Sequence, residues 1–88
     1  MDIRRTIGWN LRALRVERGF SQERLALEAN IDRSYVGRIE RGQENVTVAA
    51  LESLAGVLEV EVKDLFASVD ENAPRPLPMR SGRKPKDN

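Results

Sequence analysis

Ser21-Gln22-Glu23-Arg24-Leu25-Ala26-Leu27-Glu28-Ala29-Asn30-Ile31-Asp32-Arg33-Ser34-Tyr35-Val36-Gly37-Arg38-Ile39-Glu40-Arg41-Gly42, residues 21–42, is the stretch that decides the fold. Ser21 and Asp32 are the residue types that cap helix N-termini, because their side-chain oxygens accept from the free N–H groups of a first turn. Each is followed by apolar residues at helical spacing: Leu25, Ala26 and Ala29 in the first half, Val36 and Ile39 in the second. Asn30 separates them and is one of the few non-glycine residues that tolerate the left-handed conformation. Gly42 closes the second run. Two short helices joined by a turn of about three residues form a helix-turn-helix.

On a helical wheel of the second helix, Val36, Ile39 and Glu40 lie on one side and Ser34, Arg38 and Arg41 on the other, with Arg33 in the first turn. The outward face thus carries a hydroxyl and guanidiniums. A helix fits the DNA major groove, where Arg meets guanine O6 and N7 in a bidentate way. In isolation a solvated helix face would read the same.

Working outward, an amphipathic helix is expected over 3–18, ended by Gly19, with Ile7, Leu11, Leu14 and Arg18 on one face. A fourth helix is expected after Thr47, carrying Val48, Leu51, Leu54, Ala55 and Leu58 inward. A short fifth is expected over 62–67, with Leu65 and Phe66 apolar. All four prolines lie beyond Ser68 in a stretch poor in large apolar residues. This predicts an all-α, five-helix domain over residues 1–67 and a disordered or extended tail over 68–88.

Composition narrows the chemistry. The 88 residues include no Cys and no His. Disulfides, thiolate zinc sites and His-dependent nucleophilic catalysis are therefore excluded. No apolar run reaches the roughly 18 residues of a membrane span, and no apolar signal-peptide core follows the first five residues. The expectation is a cytoplasmic protein that is not an enzyme, with no metal, no cofactor and no membrane partner. The net charge of +1 conceals a polarity. Residues 1–41 hold nine Arg against six acids, while residues 42–67 hold one Lys against five acids. A basic front and an acidic back suit a protein that meets a polyanion on one side.

These residues carry a resemblance. Ser21-Gln22-Glu23 with Leu25-Ala26, then Ser34-Tyr35-Val36 with Arg38-Ile39-Glu40-Arg41-Gly42, resemble the Cro/phage-repressor-type (XRE-like) helix-turn-helix family. Ile7-Gly8, Leu11-Arg12, Leu14-Arg15 and Arg18-Gly19-Phe20 match its first helix and loop. Leu51, Leu54-Ala55, Leu58 and Asp64-Leu65-Phe66 match its closing helices. The resemblance implies a lambda-repressor-like domain that binds double-stranded operator DNA, usually as a homodimer. It implies that Arg33, Ser34 and Arg38 face the bases, that Tyr35 reaches a base or the backbone, that Gln22 meets a phosphate or a nearby base edge, and that Arg41, Gln43 and Asn45 approach phosphates. The chain departs from the family at Asn30, where Gly is usual, at Val46, where Pro is common, and at Glu59, where a helix-ending Gly is common.

Glu40 reads as structural. The wheel turns it inward, where a lone carboxylate is costly. Arg15 also leans inward from the first helix, so an Arg15–Glu40 ion pair is predicted. Trp9, Ala13 and Val16 form a stripe on the far side of the first helix, either a partner surface or the seat of the tail or fifth helix. The expected dimer contact is the apolar end of the domain, Leu58, Val60, Val62, Leu65 and Phe66, far along the chain from the basic helix. A second functional reading is an antitoxin whose tail binds a toxin protein; Val69, Leu77 and Met79 are its few apolar anchors.

Overall fold

The computed structural model describes residues 2–70. They form four α-helices, α1 (Ile3–Glu17), α2 (Gln22–Ala29), α3 (Arg33–Glu40) and α4 (Val48–Leu58), followed by a 3₁₀ helix (Val62–Phe66). The all-α expectation holds, with the fifth element a 3₁₀ helix rather than an α-helix. Its five residues are too few for a stable α-helix, and the Asp64 carboxylate instead accepts from the Glu61 backbone N–H at 2.9 Å, tightening the turn. The expected tail from residue 71 onward lies outside the described residues.

Capping chemistry sets the helix starts. Asp2, Ser21 and Thr47 each accept a hydrogen bond from a backbone N–H three residues on, at 2.9, 2.9 and 3.0 Å. The Arg5 N–H, aided by the charges of Arg4 and Arg5, holds the exposed Asp2 carboxyl below its usual range despite some desolvation. Asp32 occupies the expected cap position of α3 but makes no side-chain cap bond; its carboxylate accepts from the Ser34 hydroxyl at 3.0 Å.

All four α-helices end alike. Gly19, Asn30, Gly42 and Glu59 sit at positive φ (78°, 60°, 73° and 59°). The next N–H then reaches back five residues: Phe20 to Arg15, Ile31 to Ala26, Gln43 to Arg38 and Val60 to Ala55, at 2.9–3.0 Å. This is the Schellman closure, with Phe20, Ile31 and Val60 packing onto the core as its apolar partners. Asn30 and Glu59 therefore do the work of the glycines they replace.

The core joins Ile7 and Leu11 of α1, Leu25, Ala26 and Ala29 of α2, Val36 and Ile39 of α3, and Leu51, Leu54, Ala55 and Leu58 of α4 to Leu65. Leu14 packs at its margin, and Arg18, expected on the same face, is exposed. Leu58 and Leu65 are both fully buried here, which corrects their assignment to a dimer surface. Both fill the chain's own interior, and an apolar residue at helical spacing reads the same whichever interior it fills. The 3₁₀ helix docks on α1, where the Asn10 amide donates to the carbonyls of Leu65 and Ala67 at 3.0 and 2.9 Å. The Trp9, Ala13 and Val16 stripe is half-buried.

Where α1 crosses the end of α3, the backbones nearly touch. A Cβ on Gly8 would lie 2.3 Å from the Ile39 carbonyl oxygen, and one on Gly42 would lie 2.7 Å from Arg5 Cγ. These contacts fix α3 against the scaffold from behind and leave its opposite face to solvent.

Candidate nucleic-acid interface

The exposed side of α3 and the start of α2 enclose a shallow polar depression lined by Gln22, Arg33, Ser34, Gly37, Arg38 and Arg41. Five of these six are residues that the sequence reading assigned to DNA; Gly37 is the addition. Lacking a side chain, it lets Arg41 lie across the helix: a Cβ there would stand 3.2 Å from an Arg41 terminal nitrogen and 3.9 Å from Gln22 Oε1. Arg33 and Arg38 line the same depression.

Each side chain has a particular setting. Arg33 is well exposed and its Nε lies 3.9 Å from the Glu23 carboxylate. Ser34 donates to Asp32 and stands 3.5 Å from an Arg38 terminal nitrogen. Arg41 Nε donates to Gln43 Oε1 at 3.1 Å, and Asn45 is exposed in the loop that follows. Tyr35 is half-buried, and its hydroxyl accepts from the Thr47 N–H at 3.2 Å, tying α3 to the start of α4. Its ring lies 5.7 Å from the Arg38 guanidinium carbon, within cation–π range.

Arg38 has a further partner that the sequence reading missed: its Nε donates to Glu44 Oε1 at 2.6 Å. Glu44 lies beyond α3, so no helical wheel relates it to Arg38. The left-handed turn at Gly42 reverses the chain and brings it back. An acid two residues past a helix-ending glycine marks the position, but nothing in the sequence pairs it with Arg38.

Behind the depression, the predicted ion pair is present and belongs to a network. Arg15 Nε donates to Glu40 Oε2 at 2.6 Å, and a terminal nitrogen donates to Oε1 at 3.1 Å. Arg15 also donates to the Phe20 carbonyl at 2.9 Å. The Gln22 amide donates to Glu40 Oε1 at 3.0 Å, so part of its donor capacity faces inward and its carbonyl is left toward the depression. Arg12 reaches to 3.9 Å of the same oxygen, and its buried Nε finds no acceptor among the described residues. The network joins α1, α2 and α3 and fixes the angle at which α3 is presented. Among the described residues no cluster of carboxylates could hold a metal ion, and no helix is long and apolar enough to cross a membrane.

Comparison with known proteins agrees with this geometry. The Helix-turn-helix family profile matches residues 11–65. A hypothetical transcription factor of Neisseria meningitidis is 36% identical over 70 residues, covering 80% of this chain and 66% of its own length. The restriction–modification controller protein C.AhdI from Aeromonas hydrophila is 48% identical with a TM-score of 0.68, over 69% of this chain and 92% of that one. The master regulator for biofilm formation SinR, solved in complex with DNA, is 35% identical with a TM-score of 0.67, over 69% of this chain and 98% of that one. These likenesses lend no support to the antitoxin reading. With the profile spanning both helices of the motif and the closing helices, the chain belongs to the helix-turn-helix family.

Proposed function

We propose that this protein is a sequence-specific, DNA-binding transcriptional regulator of the cytoplasm that reads a roughly palindromic operator as a homodimer. The depression on α3 supports this reading, where Arg33, Arg38 and Arg41 line one exposed surface together with Gln22, Ser34 and Gly37. Arg33, Ser34 and Arg38 face base edges, where an Arg fork distinguishes guanine from the other bases. Tyr35, its hydroxyl tied to Thr47, acts through Arg38 and the ring face it offers. Arg41, Gln43, Asn45 and the outward carbonyl side of Gln22 line the flanks; the cation and amide donors among them meet phosphates and set the register. Residues 1–67 are the DNA-binding unit.

The dimer follows from size. One recognition helix contacts only a few base pairs, too little to select a site from a genome, and a twofold pair doubles the contact. With Leu58 and Leu65 inside the core, the surface left at that end is Phe66, 41% exposed, with half-buried Val60 and Val62. The acids Glu59, Glu61 and Asp64 flank it, a charge that suits the side turned away from phosphates.

Selection from a pool of random-sequence duplexes tests the reading. The expected product is two inverted half-sites about 34 Å, one DNA turn, apart. A pool that converges on no sequence overturns it. A single unrepeated half-site retains base reading but removes the dimer, which sedimentation of wild type and Phe66→Asp checks separately.

A further inference from the structure

We infer that Glu44 is a specificity-determining residue, which holds Arg38 in reading position and penalises binding through phosphates alone. This rests on the DNA-reading role proposed for α3.

Arg38 is held from three sides. Its Nε donates to Glu44 at 2.6 Å, a terminal nitrogen stands 3.5 Å from Ser34 Oγ, and its guanidinium lies over the Tyr35 ring. Tyr35 is itself anchored by the Thr47 N–H. The Glu44 side chain is 22% exposed and that of Arg38 43%. The other two guanidiniums are held more loosely. Arg33 meets Glu23 at 3.9 Å with both side chains well exposed, and Arg41 donates to a neutral amide.

Two consequences follow from the charge and the shape. With Nε engaged, the two terminal nitrogens become the edge that Arg38 offers to guanine O6 and N7. A planar fork fixed in advance loses less freedom on forming both bonds. The carboxylate also cancels the Arg38 charge for any partner that offers only phosphate. Specificity is a difference of affinities, so a repulsive element that every sequence meets, offset only where guanine is correctly placed, sharpens selection.

The test uses full-length wild type, Glu44→Gln and Glu44→Asp, each taken through selection from random duplexes and then titrated against a random-sequence duplex across salt. Circular dichroism confirms that the folds are equal. Glu44→Gln should bind the random duplex about five- to tenfold tighter, as expected for loss of one repulsive charge. Its log affinity should fall more steeply with log salt, by about one unit, because one more phosphate contact forms. It should also lose preference at one base pair of each half-site, the pair where Arg38→Ala loses it. Glu44→Asp keeps the charge but shortens the reach, and should lose that preference without the steeper slope. If wild type enriches a sequence and Glu44→Gln enriches the same one equally stringently with an unchanged slope, the Glu44 inference fails and the regulator reading stands. If wild type enriches nothing, the regulator reading fails first.

Discussion

Replacing Arg15 by Met should destabilise the domain by about 3–5 kcal/mol, the cost of a buried charge deprived of its partner. Glu40's side chain is only 4% exposed, and Arg15 supplies two of its hydrogen bonds, at 2.6 and 3.1 Å. Without Arg15 the carboxylate keeps the Gln22 amide and an Arg12 nitrogen at 3.9 Å, too little to offset its lost hydration. Glu40→Leu should cost a similar amount. It strands an Arg15 side chain that is 10% exposed and leaves the Gln22 amide without its acceptor. A domain of this length has about 3–10 kcal/mol of total stability, so either change removes a large share. The double variant Arg15→Met/Glu40→Leu should cost less than either single one, since both charges leave together and apolar atoms take their volume. Urea unfolding followed by circular dichroism at neutral pH measures all four proteins. With a slope of about 1 kcal/mol per molar urea, the single variants should shift the midpoint down by about 3–5 M or begin unfolded. Singles that cost under about 1 kcal/mol, or a double variant that costs their sum, would mean that Arg15 and Glu40 are not a coupled buried pair.

Three further substitutions probe other joints. Gly8→Ala should lower stability by about 1–3 kcal/mol in thermal melts, although alanine favours helices, because its Cβ would lie 2.3 Å from the Ile39 carbonyl and both helix backbones would have to part. Glu59→Gly should raise stability by about 1 kcal/mol by relieving a side chain held at φ 59°; the exposed Arg18–Glu59 pair lost with it contributes little, and a lower melting temperature would contradict this. Gly37→Ala should leave the fold intact or gain about 0.5 kcal/mol, yet weaken operator binding by about tenfold, because the new methyl displaces Arg41, now 3.2 Å away, from its place across α3.

How much was legible in the sequence follows from the range of the forces involved. Helix positions came from 3.6-residue periodicity and from caps such as Ser21 and Thr47, which act within three residues. The Arg15–Glu40 pair was also legible, although the partners are 25 residues apart, because two wheels each turned a charge inward and opposite charges must then meet. The surface at the C-terminal end was not. Leu58 and Leu65 carry the same apolar signal as Phe66, and only the packing of the 3₁₀ helix onto α1 through Asn10 separates core from surface. Nor were the restraints on Arg38. Glu44 and the Thr47–Tyr35 bond depend on the path of the loop after Gly42, which no periodic pattern encodes. Gly37 and Gly8 were visible as glycines, but the groups they make room for, Arg41 and the end of α3, become evident only from the crossing of the helices.

Whether α3 reads base edges through Arg38 and Arg33 is decided by a mutant cycle across the protein–DNA boundary. Wild type and Arg38→Ala are each titrated against the selected operator and against the same duplex with 7-deazaguanine at one guanine of each half-site, which removes the N7 acceptor and little else. At one such guanine the modified base should weaken wild-type binding by about 1–3 kcal/mol per bidentate contact, and Arg38→Ala should no longer sense it. Arg33→Ala should lose its sensitivity at a different guanine. If both Arg variants respond to every modified guanine as wild type does, neither residue reads a base.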